Sequence, residues 1–387
     1  MTAPGPIPIA RPLFGREEIE AAASVLESGW IVQGPRVAEF ERRFAAFAGV
    51  KQALACSNGT TALHLANAAL RLGPGDEVLV PAFTWVATPN AVVYCGATPV
   101  FCDVDLATFN IDPSQIEERI TSRTRGIVPV HLFGLCADME PILEIARRRG
   151  LWVVEDAACA MGASWRGKHV GAFGDAATFS FHPRKSITTG EGGMVTTERE
   201  DIAAAVRSMR DHGAAPRRGE PSFLLPDYDE IGFNYRLTDL QGAIGCAQMD
   251  RAETILAGRR HRALRYDEAL QELSWLRTPV VPADMTHGYQ AYVCLFAPEE
   301  PTLQNVEALE ARRNRLMATL EERGIATRQG THAPVLRAVY RQRFGIDPNA
   351  FPNAVLAEKL SLALPLYPQM TDDEQARVVD ALREIGP

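Results

Sequence analysis

The sequence predicts an α/β protein: a large domain built on a mostly parallel central sheet, followed by a smaller C-terminal α+β domain. Two observations lead there. From about Val50 to Thr197, short apolar runs alternate with segments whose apolar residues recur at helical spacing, the pattern of strands joined by covering helices. After Thr197 that alternation stops, and an Arg-studded helical stretch from Leu237 to roughly Leu273 leads into a mixed tail. A chain of 387 residues has room for roughly two to three domains. We place the division at residues 1–250 and 251–387.

The strand candidates in order are Glu77–Ala82, Pro99–Val104, Ile127–Leu132, Trp152–Glu155 and Ala177–Phe181. Between them lie two helical segments. Thr61–Leu70 carries Leu63, Ala66 and Leu70 on one face, and Met139–Arg149 carries Ile142, Ile145 and Ala146. Arg199–Arg210 reads as helix, and Asp211–Ser222 as a polar loop containing Gly and Pro. The tail holds a strand at Ala291–Ala297 and helices at Val306–Arg323 and Asp372–Ile385. Thr371 suits the N-cap of the last helix, and the three acids after it suit the positive end of the dipole.

Composition narrows the function classes. Apolar residues make up 46% and charged residues 23%, as in ordinary soluble enzymes. A formal net charge of −8 with no basic block argues against a nucleic-acid partner. Seven cysteines are scattered without a CxxC pair, which points to a reducing compartment and to neither a disulfide frame nor a metal centre. The segment MTAPGPIPIARPLFGREE lacks the basic start and apolar core of a secretory signal. No stretch reaches the apolar length of a membrane span. These features place the protein in the cytoplasm.

Chemistry enters with Lys185, in SFHPRKSITTGEGGMVTT (Ser180–Thr197). It follows a strand-like run and precedes a turn of small residues, so its amine is held at a strand end. Such an amine can condense with an aldehyde. Taken singly, a lysine is better read as a solvated surface group. A second signal reverses that reading: the strand LWVVEDAACAMGA (Leu151–Ala163) ends in Glu155-Asp156, 29 residues before Lys185. An amine and an acid at neighbouring strand ends meet the two demands of pyridoxal phosphate, a lysine for its aldehyde and an acid for its ring nitrogen. Ligands of parallel sheets collect at these carboxyl ends.

Three further segments have both a bland and a functional reading. CSNGTTALHLA (Cys56–Ala66) puts Ser, Asn, Gly and Thr before a helix, where free amides and roughly half a positive charge make a phosphate cradle. The same residues also make an ordinary N-cap. Trp85, just past a strand, can stack on a planar ring or serve as packing. Asn234, Tyr235 and Arg236 in GFNYR read by themselves as the turn before a helix. The chain has no G-x-G-x-x-G, so no dinucleotide fingerprint competes.

Together, in this order and spacing, EDAA, SFHPxK and GFNYR resemble the DegT/DnrJ/EryC1/StrS sugar-nucleotide aminotransferases, which are fold-type I pyridoxal-phosphate enzymes. The resemblance runs from SGWIVQGPRVAEFE (Ser28–Glu41) to FPNAVLAEKLSLALPLYP (Phe351–Pro368). It implies that Lys185 carries the cofactor as a Schiff base and then shuttles protons, and that Asp156 pairs with the pyridinium nitrogen. It also implies that Gly59, Thr60 and Ser180 bind the phosphate and that Trp85 covers the ring. Asn234 is implied to reach the phosphate from the partner subunit of a homodimer. One departure stands out: Cys159 occupies the position, three after Asp156, where the family usually has Gln or Glu. A thiol is a weak donor, so contact with the cofactor's phenolic oxygen is in question, and simple packing is the competing role.

His182, three residues before Lys185, reads as a substrate contact or a satisfied core group. His332, in GTHAPV, falls where relatives meet a nucleotide-sugar. HPRKSITTGEGG (His182–Gly193) follows the branch that aminates C4 of 4-keto-6-deoxy sugars, whereas 3-aminotransferases more often read YPxKNLGALGDGG. The resemblance thus implies a nucleotide-linked keto-sugar substrate with L-glutamate as donor. A C3 or cyclitol aminotransferase and a non-catalytic regulator of the same fold are the competing readings. Intact Lys185 and Asp156 weigh against the last.

Overall fold

The computed structural model describes residues 5–216, 219 and 224–386. In chain order the strands begin with β1 (Gln52–Cys56), β2 (Glu77–Pro81), β3 (Thr98–Cys102), β4 (Thr124–Ile127) and β5 (Trp152–Asp156). Next come the two-residue β6 (Ser164–Trp165) and β7 (Lys168–His169), then β8 (Ala176–Ser180) and β9 (Gly193–Thr197). The rest are β10 (Leu276–Arg277), β11 (Met285–Thr286), β12 (Tyr292–Phe296) and β13 (Ser361–Leu364).

The central sheet has the order β1-β9-β8-β5-β4-β2-β3. All its pairs are parallel except those of β9 with β8 and with β1, so β9 alone runs backwards. The cause is the β8–β9 link, residues 181–192, which holds no crossover helix to carry the chain back for a parallel return. Burial at every position of β2 explains why Val78–Pro81 is an apolar run and not an alternating one.

Helices α1 (Arg16–Ser28), α2 (Pro35–Ala48), α3 (Gly59–Ala69), α4 (Ala87–Tyr94), α5 (Met139–Arg149) and α6 (Glu200–Met209) belong with this sheet in sequence. They are followed by α7 (Asp239–Asp250) and α8 (Ala252–Leu270). Gly34, the residue before α2, has no side chain to cap that helix. Asp239 supplies the cap from a distance, accepting from the amides of Gly34, Arg36 and Val37 at 2.8, 3.2 and 2.9 Å. One carboxylate therefore fixes α2 against α7 while meeting amides at the positive end of a helix.

The structure departs from the sequence expectations in two places. The strand expected at Ile127–Leu132 is β4, which ends at Ile127. Pro129 has no N–H for the ladder, and beyond it only Val130 makes an isolated bridge, to Asp156. Leu132–Gly134 then turns with Phe133 at φ 56°. The single helix expected from Leu237 to Leu273 is two helices, broken at Arg251 (φ −108°, ψ 1°). There the Arg251 guanidinium turns aside to the buried Glu18 at 3.0 Å, a tertiary pull that helical periodicity does not reveal. Within the expected loop Asp211–Ser222, residues 217, 218 and 220–222 lie outside the described residues. Asp211 and Ala214 pair with Asn234 and Tyr228.

The later part adds α9 (Val306–Glu322), α10 (Ala338–Phe344), α11 (Pro352–Leu360) and α12 (Asp372–Ile385), with the antiparallel sheet β10-β12-β13. Thr371 caps α12, accepting from the amide of Glu374 at 3.1 Å, as the sequence indicates. The N-terminal segment joins this part, because Ile7 pairs with Ile325 and the amide of Leu366 donates to Ile9 O at 3.1 Å.

Gly126 of β4 offers a stability test. A Cβ at 126 would lie 2.1 Å from Cε3 of Trp152, its β5 partner. Gly126→Ala should lower stability by about 1–3 kcal/mol through overpacking. A lower midpoint in thermal or urea unfolding checks this, and an unchanged midpoint refutes it.

Candidate active site

At the carboxyl ends of the parallel strands, Cys56 of β1 lies opposite Gly193, the first residue of the reversed β9, which lies opposite Ser180 of β8. The turn into α3 rests on this row. A Cβ at Gly193 would lie 2.2 Å from Asn58 O, and one at Gly59 would lie 2.8 Å from Ser180 Cβ, so backbone approaches backbone only because both are glycine. Asn58 caps α3 by accepting from Thr61 N at 2.9 Å, while Thr61 Oγ1 accepts from Asn58 N at 3.1 Å. Asn58, Gly59, Thr60 and Ser180 all line one cavity of about 690 Å³, of a size to take a small molecule.

Asp156 enters the same cavity from the end of β5 and is 5% exposed. Its Oδ2 accepts from Thr88 Oγ1 at 2.7 Å and its Oδ1 from Ala158 N at 3.2 Å. Burial pushes this carboxyl above its ordinary range, and those bonds only partly oppose the rise. A cation brought beside Asp156 would favour its charged form. Thr84 Oγ1 lies 3.0 Å from Thr88 Oγ1, which makes a hydroxyl chain behind the carboxylate.

Lys185 sits in the β8–β9 link, where the Lys185 amide donates to His182 O at 2.8 Å. Its amine reaches the cavity and donates to Cys159 Sγ at 3.0 Å. Cys159 therefore faces the site and is not buried packing. His182 lines the cavity, its Nδ1 accepting from Arg184 N at 3.2 Å, and burial lowers its pKa. Trp85 also lines the cavity and is 54% exposed.

Two of the residues singled out in the sequence stand apart from the cavity lining. The ring of His332 lies 5.4 Å from that of Trp85, and its carbonyl accepts from Thr84 N at 2.9 Å. Asn234 is exposed, pairs with Asp211, and does not line its own chain's cavity. The residues that sequence reasoning missed are Thr84, Thr88, His131 and Glu155. None carried a signal of its own: Thr84 lies before α4, and the partners of Thr88 and His131 are distant in sequence.

A lysine amine, a buried carboxylate and a helix-terminus cradle meet at the ends of a mostly parallel sheet, the set of groups a pyridoxal-phosphate enzyme needs. The DegT/DnrJ/EryC1/StrS aminotransferase family profile matches residues 12–383, and the chain belongs to that family. It is 41% identical over 381 residues to the GDP-perosamine synthase of Caulobacter vibrioides, covering 98% of each chain. Among solved structures it is similar to the aminotransferase TlmJ from Streptoalloteichus hindustanus, with a TM-score of 0.89, 31% identity and 98% of each chain covered. It is also similar to S. venezuelae DesV, solved with a ketimine intermediate, with a TM-score of 0.88 and 31% identity. That match covers 99% of this chain and 100% of DesV.

Proposed function

We propose that this enzyme aminates C4 of a nucleotide-linked 4-keto-6-deoxyhexose, with L-glutamate as donor and pyridoxal 5'-phosphate as cofactor. The observation that carries the reading is the convergence of Lys185, Asp156 and the Gly59–Thr60–Ser180 cradle on one cavity. The residues fit the cofactor. An amine just past a strand suits its aldehyde, a buried carboxyl suits a pyridinium, and a glycine-floored helix terminus suits a phosphate. The similarity to a GDP-perosamine synthase supports a nucleotide-sugar substrate and the C4 position.

When bound, the cofactor supplies an electron sink for a carbanion at the substrate carbon. Asp156 keeps the ring nitrogen protonated, with Thr88 holding the carboxylate in orientation. Lys185 would hold the cofactor's aldehyde and would supply the general base and acid for moving a proton at the substrate carbon. Gly59, Thr60 and Ser180 would hold the phosphate, and Trp85 would offer its indole face to the ring. His182 contacts the sugar side, and His332, outside the cavity lining, backs the Trp85 ring. We assign Asn234 to the phosphate of a partner subunit in a homodimer with two composite sites. We also divide the chain into a cofactor-binding domain, 1–250, and a smaller domain, 251–387, working in the cytoplasm.

The test uses purified enzyme, a 4-keto-6-deoxy nucleotide sugar and glutamate labelled at nitrogen. Label should appear at C4 of the sugar, and borohydride should bleach the protein and leave a stable adduct on the Lys185 peptide. Label at C3 or only on a free cyclitol discards the C4 assignment. An adduct on another lysine discards the site.

A further inference from the structure

We propose that Glu155 and His131 are positioning residues for Asp156, acting on it from the far face of β5. The inference rests on the reading of Asp156 as the partner of the cofactor's ring nitrogen. Successive side chains on a strand point to opposite faces, so Glu155 turns away from the cavity that Asp156 enters. Glu155 is completely buried, yet four donors converge on its carboxylate. His131 Nε2 donates at 2.9 Å, and the amides of Gly171, Phe173 and Gly174 at 2.8, 2.7 and 2.8 Å. Burial by itself would raise its pKa. The bond from His131 and the backbone amides outweigh that and hold it below the ordinary carboxylate range.

His131 is also completely buried. Its Nδ1 accepts from Ala137 N at 3.0 Å, so the ring proton lies on Nε2 and is given to Glu155. The backbone of the same segment grips Asp156 directly: His131 N donates to Asp156 O at 3.0 Å, and Asp156 N donates to Pro129 O, two residues earlier, at 2.8 Å. His131 therefore ties the main chain of Asp156 to the side chain of Glu155. The loop that supplies the three amides lies so close to β5 that a Cβ at Gly174 would be 2.5 Å from Val153 O. Filling this space needs only an apolar side chain, which is often as stable as a buried polar pair. What the pair adds is direction, fixing the strand end where the Asp156 carboxylate must meet a ring nitrogen.

The experiment reads the bound cofactor in purified holoenzyme, through the pH midpoint of its visible absorption. Glu155→Gln sets an amide NH2 against backbone donors, and His131→Leu removes the ring donor. Both should move the midpoint upward by about one unit, because a ring without its nitrogen proton withdraws less electron density from the lysine nitrogen. Both should also lower kcat roughly 10- to 100-fold with little change in KM for glutamate. His131→Gln, which keeps a donor toward Glu155, should return the midpoint toward wild type. Asp156→Asn should shift it in the same direction as the first two. If Asp156→Asn shifts the midpoint while Glu155→Gln and His131→Leu only lower the melting temperature, the pair is structural and the proposal is wrong. If Asp156→Asn itself leaves the midpoint in place, the reading of Asp156 fails and takes this proposal with it. Should Glu155→Gln not fold, the contrast between His131→Leu and His131→Gln decides the matter.

Discussion

Lys185→Ala should lower kcat by roughly 10³-fold or more, the scale expected on losing a positioned acid–base that is also the covalent anchor. The folded protein should survive the change. Among the described residues the Lys185 side chain makes a single hydrogen bond, to Cys159 Sγ at 3.0 Å, and a thiol is a weak acceptor, so stability should change by less than about 1 kcal/mol. The phosphate cradle and Asp156 remain, so the variant should still bind pyridoxamine phosphate, read by absorbance titration, while failing to turn over. Loss of binding together with activity would mean that Lys185 holds the cavity open, and its role as mobile base would fall.

What the sequence revealed of the fold and what it hid divide along sequence distance. The strands β2 and β5 are legible because burial on both faces leaves nearly uninterrupted apolar runs. The β1 strand QALAC and the α4 helix ATPNAVVY were passed over, being short segments without clear periodicity. The reversal of β9 was in principle readable, since residues 181–192 contain no helical pattern to carry a crossover. In the site, Lys185 and Asp156 were visible because the first follows an apolar strand and the second ends one. Their supports were not, because Thr88 meets Asp156 across 68 residues and His131 meets Glu155 across 24. A lone threonine in a helix or a lone histidine after a strand carries no mark of a partner so remote. Cys159 was an open question in the sequence, and its contact with Lys185 places it beside the chemistry.

Asn234→Asp should reduce activity at least as severely as a charge set against a phosphate demands, by roughly 10²-fold or more, although Asn234 does not line the cavity of its own chain. Its exposed place beside Asp211 means that the lesion should leave the protomer's stability nearly unchanged, within about 0.5 kcal/mol. The assignment to a partner's cofactor makes a sharper demand. When Lys185→Ala and Asn234→Asp chains are mixed and allowed to exchange, half of the dimers become hybrids, and each hybrid has one site with both lesions and one with neither. Activity should therefore return to about a quarter of the wild-type value per total protein. If Asn234 instead served its own subunit, every site in the mixture would carry one lesion and none would recover. The mixing experiment thus separates a composite site from a self-contained one without reference to which sugar is the substrate, and a mixture as inactive as its parents would remove Asn234 from the partner's phosphate.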